Sequence, residues 1–402
     1  MRIGNSFSLG LEAALAGEIE GSQTKYMDEV DNDFDIKEDD VSEGEVLAGD
    51  IAKTDEFLVG LECLIATMEA AALDQNFGKY NLPLYHNEAK RLLGSMRLST
   101  FGLSTENYDS PYVLSTEGFK ETASKVWQAF QDMIDRFLKW LESKFSKGSK
   151  SEKIIDKAEE LGEKAEAKAK EPEIVEKAKK NEQIEFLVSF TSELGDLLGK
   201  KETVVEVGRC SNQLFDKLSK RFANIGPFLK DLDSAGSKDE VEGVIAGHGI
   251  GKHESGAGKK ADVTITTKVD VNLVYKESAG KILENKSLET LGRAGKLLRK
   301  QLEDMAFELL EKVFKEDHAA DSAIIKATHS AFNGDDHQQD LDKAQEHRQN
   351  KALYSAQRNA LSMAITEISQ IITSAERAST DLINLNNNFY AALNVAGQTS
   401  AA

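Results

Sequence analysis

The chain has 402 residues, 40% hydrophobic and 30% charged, with a formal net charge of −19 at pH 7. This length allows two or three domains, and only four prolines interrupt it, so long helices are allowed almost everywhere. No segment has the roughly 18 consecutive apolar residues of a membrane span, and the N-terminal sequence lacks the pattern of a secretory signal. We therefore expect synthesis in the cytoplasm.

The negative charge is concentrated in the N-terminal part of the chain. Residues 1–117 contain 23 acidic and 8 basic residues, a net charge of −15, whereas residues 118–402 contain 46 and 42, a net charge of −4. An acidic segment of this size repels nucleic acid and can screen basic surfaces. The charge step therefore predicts a boundary after residue 117.

The acidic segment, residues 1–117, is predicted to contain short helices and a flexible linker. Residues 28–56 have too few apolar side chains to fold alone, whereas residues 57–77 have a helical composition. Residues 99–115 are rich in turn-forming residues and include Pro111. They are therefore predicted to form an exposed linker.

Residues 118–147 have the clearest helical pattern in the sequence. Their apolar residues recur at spacings of three and four, which places them on one face of a helix, and the net charge over 118–150 is +3. The apolar face includes Phe119, Trp127, Phe130, Phe137, Trp140 and Leu141. Such a face packs in a core or against a partner, or lies on a membrane surface. Contact with nucleic acid is a third, weaker alternative, because the net charge is small.

The rest of the chain is predicted to be mainly helical. Residues 148–182 are rich in Lys, Glu and Ala and are predicted to form a charged spacer. Residues 183–402 are predicted to form a helical body, starting with a helix at 183–198. In a final helix at 351–395, the apolar residues have a coiled-coil spacing, which indicates packing within the chain or self-association.

One part of the helical body has the pattern of a β-strand. Apolar residues alternate with polar ones over 263–275, a period of two. We therefore expect a small β-hairpin or short sheet near residues 241–276, with residues 241–245 as a candidate partner strand. The fold class predicted from the sequence is mainly α, built from long amphipathic helices, with this small β element.

Two sequence features resemble ligand-binding loops but lack part of the required pattern. The glycine-rich residues 243–260 lack the spacing of a phosphate-binding loop. Asp31, Asp33 and Asp35 match the first half of a calcium loop, but Ile36 stands where the turn glycine belongs. We therefore assign no cofactor-binding residue and expect no cofactor.

No group of side chains in the sequence predicts catalysis. Four histidines, His318, His329, His337 and His347, are not spaced to share a helix face, so we assign no metal-binding residue. No serine or cysteine is marked by its surroundings as an activated nucleophile, and we assign no catalytic residue. An enzyme whose site forms only in the folded chain stays an alternative, because most sites cannot be recognised in one sequence.

A tetrapeptide is repeated in the predicted linker. The sequence LSTE occupies residues 103–106 and recurs at 114–117, at the charge boundary and directly ahead of the amphipathic helix. Exposed and extended segments of this kind are preferred protease substrates. The repeat therefore predicts cleavage between the acidic segment and the helix.

With this repeat, the charge step and the helix that follows, residues 1–147 resemble the internal head (inner-body) proteins of giant phiKZ-like tailed phages. In that family an acidic propeptide directs the precursor into the prohead, where a prohead protease cuts after Glu in a small-residue/any/Glu tripeptide. The resemblance implies a cut after Glu117. The implied cleavage residues are Ser115, Thr116, Glu117 and Gly118, with a secondary site at Ser104, Thr105 and Glu106.

The resemblance also implies a function, a location and partners. It implies a non-enzymatic virion structural protein, made in the host cytoplasm, located in the capsid interior and ejected with the DNA. The implied partners are the prohead protease, other head or inner-body proteins, and packaged DNA without sequence-specific binding; membrane contact would follow ejection. The alternative is a membrane-surface-binding helical protein that acts through residues 118–147.

Overall fold

The structure is a computed structural model of the chain. It describes residues 38–72, 116–144, 150–180, 182–190, 193–198, 201–251, 261–268, 287–333 and 338–398. The chain divides into two units, Met1–Val41 and Ser42–Ala402. All the packing described below lies within the second unit.

The described part of the chain is mainly helical with one small sheet, which confirms the predicted fold class. Its helices are α1 (Glu38–Ala72), α2 (Thr116–Lys144), α3 (Lys150–Ala169), α4 (Pro172–Lys179), α5 (Glu193–Leu197), α6 (Val204–Ser234), α7 (Lys238–His248), α8 (Ser287–Asn333) and α9 (Gln338–Gln398). Its strands are β1 (Gln183–Phe190), β2 (Lys201–Thr203) and β3 (Ala261–Lys268).

Helix α9 is the centre of the body. It packs against α8, α3, α6, α7 and the strand β1. The apolar residues that gave its coiled-coil spacing are buried: Leu361, Ile365, Ile368, Ile372, Ala375 and Leu382. Because these side chains fill the core of one chain, the spacing reflects packing within the chain.

The sheet lies on one side of α9 and has the strand order β1-β3-β2. Strand β1 pairs antiparallel with β3, with Phe186 opposite Ile265, and β2 pairs parallel with β3. Side chains alternate along β1 between buried and exposed, as expected for a strand with one face on a core. The Phe186 ring lies 5.6 Å from the ring of Phe389 in α9.

The partner of β3 differs from the prediction. Residues 183–190 form a strand and not the start of a helix, because the buried residues alternate strictly along this segment. Residues 241–245 are helical instead, within α7. Ser237 caps that helix by accepting a hydrogen bond from the Glu240 N–H, and Gly249 (φ 68°) ends it in the left-handed conformation. Residues 269–276 of the predicted β region lie outside the described residues.

The charged segment predicted as a spacer contains α3 and α4. Helix α3 packs along α9 and buries Leu161, Ala165 and Ala169. Its outer face carries exposed ion pairs, including Lys164 with Glu160 at 2.5 Å. Helix α3 is therefore an amphipathic element of the helical body.

Candidate functional site

The main predicted cleavage bond lies at the start of α2. Thr116, Glu117 and Gly118 belong to the first turn of this helix, and nothing is described of their side chains. Ser115 lies outside the described residues, as do Ser104, Thr105 and Glu106 of the secondary site. A first helical turn lacks intrahelical acceptors for its N–H groups, so it unwinds more readily than the middle of the helix.

The apolar face of α2 lies in the protein core. Trp127, Phe130, Phe137, Trp140 and Leu141 are all buried, and α2 also packs against α8. The side chain of the sixth predicted face residue, Phe119, lies outside the described residues. Of the three interpretations of this face, the structure favours core packing, because membrane contact would require these rings to leave the body.

Helix α1 covers part of this face although it belongs to the acidic segment. Its buried residues Ala48, Ile51 and Leu58 follow helical spacing, and its Thr54 hydroxyl lies 3.8 Å from the sulfur of Met133 in α2. Residues 28–56 were predicted not to fold alone; from residue 38 onward they are helical in contact with the rest of the chain. Burial against the rest of the chain stabilises a helix that its own sequence would not.

A buried ion pair joins α1 to α9. The Nε–H group of Arg358 donates a hydrogen bond to the carboxylate of Asp55, and the two side chains are 1% and 2% exposed. The guanidinium carbon of Arg358 lies 4.8 Å from the centre of a Trp127 ring, within the range of a cation–π interaction. Asp55, Arg358 and Trp127 therefore bring together three helices that are far apart in sequence.

A glycine allows α1 to approach α2 closely. A Cβ atom placed on Gly44 would lie 2.1 Å from Cζ2 of Trp140. No side chain larger than hydrogen fits there unless the two helices separate or the indole ring moves. Gly44 therefore fixes the position of α1 over the second tryptophan.

Two more buried ion pairs connect α9 to its neighbours. Lys144 of α2 lies 3.0 Å from Glu376, and Arg221 of α6 lies 2.8 Å from Glu367. All four side chains are largely buried. The three buried charges of α9 described here, Arg358, Glu367 and Glu376, therefore pair with three different helices, which favours one position along α9 for each of them.

A partly exposed pair extends the contact between α1 and α9. The Nη2 group of Arg377 lies 3.3 Å from the Glu45 carboxylate. Glu45 precedes Asp55 in α1, whereas Arg377 follows Arg358 in α9, so the two helices run in opposite directions along this contact. Both basic partners of α1 come from the same helix.

The structure describes only part of the histidine and glycine features singled out in the sequence. His347 lies 2.6 Å from Glu316 and joins α9 to α8. Nothing is described of the side chains of His318, His329 and His337. Within the described ranges, no three His, Cys, Asp or Glu side chains are grouped to hold a metal ion. Residues 252–260 of the glycine-rich stretch, like Asp31, lie outside those ranges.

None of the helices over the residues that the structure describes is both long and apolar enough to cross a bilayer.

Comparison with known protein families, with curated proteins and with solved structures finds no match to this chain.

Proposed function

We propose that this protein is a non-enzymatic structural protein of a phage particle, made as a precursor and cut after Glu117, in the first turn of α2. It lies inside the head, in contact with other head or inner-body proteins and beside packaged DNA. The observation that carries the proposal is the placement of the LSTE repeat. One copy lies between α1 and α2, and the other extends only into the first turn of α2.

A cut after Glu106 lies ahead of α2, and a cut after Glu117 lies within its first turn, so either one separates the acidic segment from the rest of the helix. The cut after Glu117 falls in the first turn of α2, where the backbone N–H groups lack intrahelical acceptors. The charge step at the same position supports the proposal, because the two products differ strongly in net charge.

The experiment that tests this function is N-terminal sequencing and intact-mass analysis of the protein from purified particles. We expect a product that begins at Gly118, and an intermediate that begins at Asn107 after a cut at the first repeat. Detection of only the uncut chain in mature particles would reject the proposal.

The Glu requirement is tested by a pair of matched substitutions. Glu117→Gln is expected to abolish the Gly118 terminus, because the resemblance implies a protease that reads Glu at this position. Glu121→Gln removes the same charge one turn later, where Phe119 replaces the small residue of the tripeptide, and is expected to leave cleavage unchanged. Equal cleavage of the two variants would contradict the assignment of the site.

Membrane contact after ejection is the alternative function of the same region. It would use Trp127 and Trp140, which are both buried in the structure, Trp140 against Gly44 of α1. Flotation of the chain with anionic vesicles, before and after cleavage, measures whether the cut makes this face available.

A further inference from the structure

We infer that the surface of α2 and α9 beneath α1 is a binding groove for an acidic helix, and that it retains α1 after the chain is cut. We call this surface, formed by Trp127, Met133, Trp140, Arg358 and Arg377, the α1 groove. The inference rests on the proposed cleavage in one respect only, that the chain is cut at a point between Leu58 of α1 and Trp127 of α2. Retention itself is a property of the groove.

The contacts that hold α1 in the groove do not depend on the connection to α2. They consist of buried apolar side chains, the Asp55–Arg358 pair and the close approach of Gly44 to Trp140. All of them involve residues at or before Leu58 in α1 and at or after Trp127 in α2. Both LSTE copies lie between these limits, so a cut at either one removes none of these contacts.

The groove and the helix are complementary in charge. Helix α1 contains 10 acidic residues and one basic residue, a net charge of −9, whereas the groove presents Arg358 and Arg377. Asp55 meets the buried arginine and Glu45 meets the partly exposed one. Releasing α1 would break the Asp55–Arg358 pair and would expose the buried apolar side chains of α1 and of the groove to water.

If α1 stays bound, cleavage changes the charge and the exposed surface of the protein less than full release of residues 1–117 would. Of the net −15 of residues 1–117, α1 accounts for −9. A fragment held by α1 keeps this charge on the particle protein and keeps both tryptophans covered. The cut then frees the start of α2 while the acidic helix stays bound, so the mature form is a complex of two chains.

The test uses the full chain with a site-specific protease sequence placed within residues 99–106. After cleavage at micromolar concentration, we expect the two fragments to elute together in gel filtration, with unchanged tryptophan emission. Trp127 and Trp140 are the only tryptophans in the chain, so emission reports directly on the groove. Separate elution of the wild-type fragments with a red-shifted emission would overturn the inference.

Two matched pairs of variants identify the contacts responsible. Asp55→Asn is expected to release the fragment roughly a hundredfold or more faster, whereas Glu56→Gln, an exposed neighbour that loses the same charge, should not. Leu58→Ala is expected to weaken retention about thirtyfold or more while leaving the Asp55–Arg358 pair intact. Its control is Val59→Ala, because Val59 is 37% exposed. Equal release within each pair would contradict the groove.

The outcome is independent of the function proposed above. Failure of the fragments to stay together would leave the particle protein's mature N-terminus unaffected. Conversely, a protein that is never cut in particles would still retain α1 when cut at the engineered site, if the groove has the affinity that its contacts imply.

Discussion

Helices α1 and α3 are both rich in charged residues, and both lie outside the part of the sequence that was predicted to form the helical body. They attach to α9 in different ways. Helix α3 buries small and aliphatic side chains and keeps its ion pairs on the surface, as with Glu160 and Lys164. Helix α1 instead places a carboxylate, that of Asp55, in the core.

The difference teaches how charge contributes to specificity in this fold. A surface pair between residues four apart stabilises its own helix weakly and does not select a partner. A buried pair is costly when either member is absent, so it penalises every arrangement except the one in which both members meet. Helix α1 is therefore expected to depend on Arg358 far more than α3 depends on any one charge.

The strongest expected effect comes from removing the carboxylate of Asp55. Asp55→Ala is expected to lower the free energy of unfolding by about 3–5 kcal/mol, because Arg358 would remain buried without this partner. Urea denaturation followed by tryptophan emission measures the change. The double variant Asp55→Leu, Arg358→Met should recover most of the stability; a double variant as unstable as the single one would show that the pair is not the cause.

The next effect comes from the close approach at Gly44. Gly44→Ala is expected to destabilise the protein by about 1–3 kcal/mol, because the added methyl group would overlap the Trp140 ring. Gly49→Ala is the matched control in the same helix, since a methyl group added there would meet no described atom of another element within 4 Å. It should stabilise α1 by about 0.5–1 kcal/mol. The same sign for both variants in thermal denaturation would refute the assigned contact.

The smallest effect is expected on the outer face of α3. Lys164→Ala should change the free energy of unfolding by no more than about 0.5 kcal/mol, because the pair with Glu160 is half exposed and lies within one helix. The pKa of Glu160 is lowered, chiefly by its hydrogen bond with Lys164, so NMR titration of this carboxyl should show a rise in the variant. A loss of stability comparable to that of Asp55→Ala would remove the contrast between the two helices.

The spacing of apolar residues predicted those helices and strands that bury one face. The apolar residues of α2 from Trp127 to Leu141 and the apolar seam of α9 each lie on one helical face, as their spacing predicted, and both faces are buried. Val263 and Ile265 lie in a strand, as their alternation predicted. These features depend on local geometry, which the order of residues encodes directly.

Other parts depend on partners that are distant in sequence, and these were missed. Asp55 and Arg358 are separated by 303 positions, and nothing in the sequence around either residue indicates that the two form a pair. Strand β1 was predicted as a helix because Phe186, Leu187 and Val188 are consecutive and obscure the alternation. Its identity became clear only from the pairing with β3. The one signal that could have found Asp55 was its position among apolar residues that otherwise share one helix face.

The central position of α9 has a consequence for how the chain acquires its structure during synthesis. Residues 338–398 leave the ribosome after every helix that they pack against. Asp55, Lys144 and Arg221, in helices α1, α2 and α6, therefore stay hydrated until α9, which carries their partners, has been translated. Such long-range contacts slow folding and prolong the exposure of apolar surface, so the nascent chain is expected to need protection from aggregation over most of its translation.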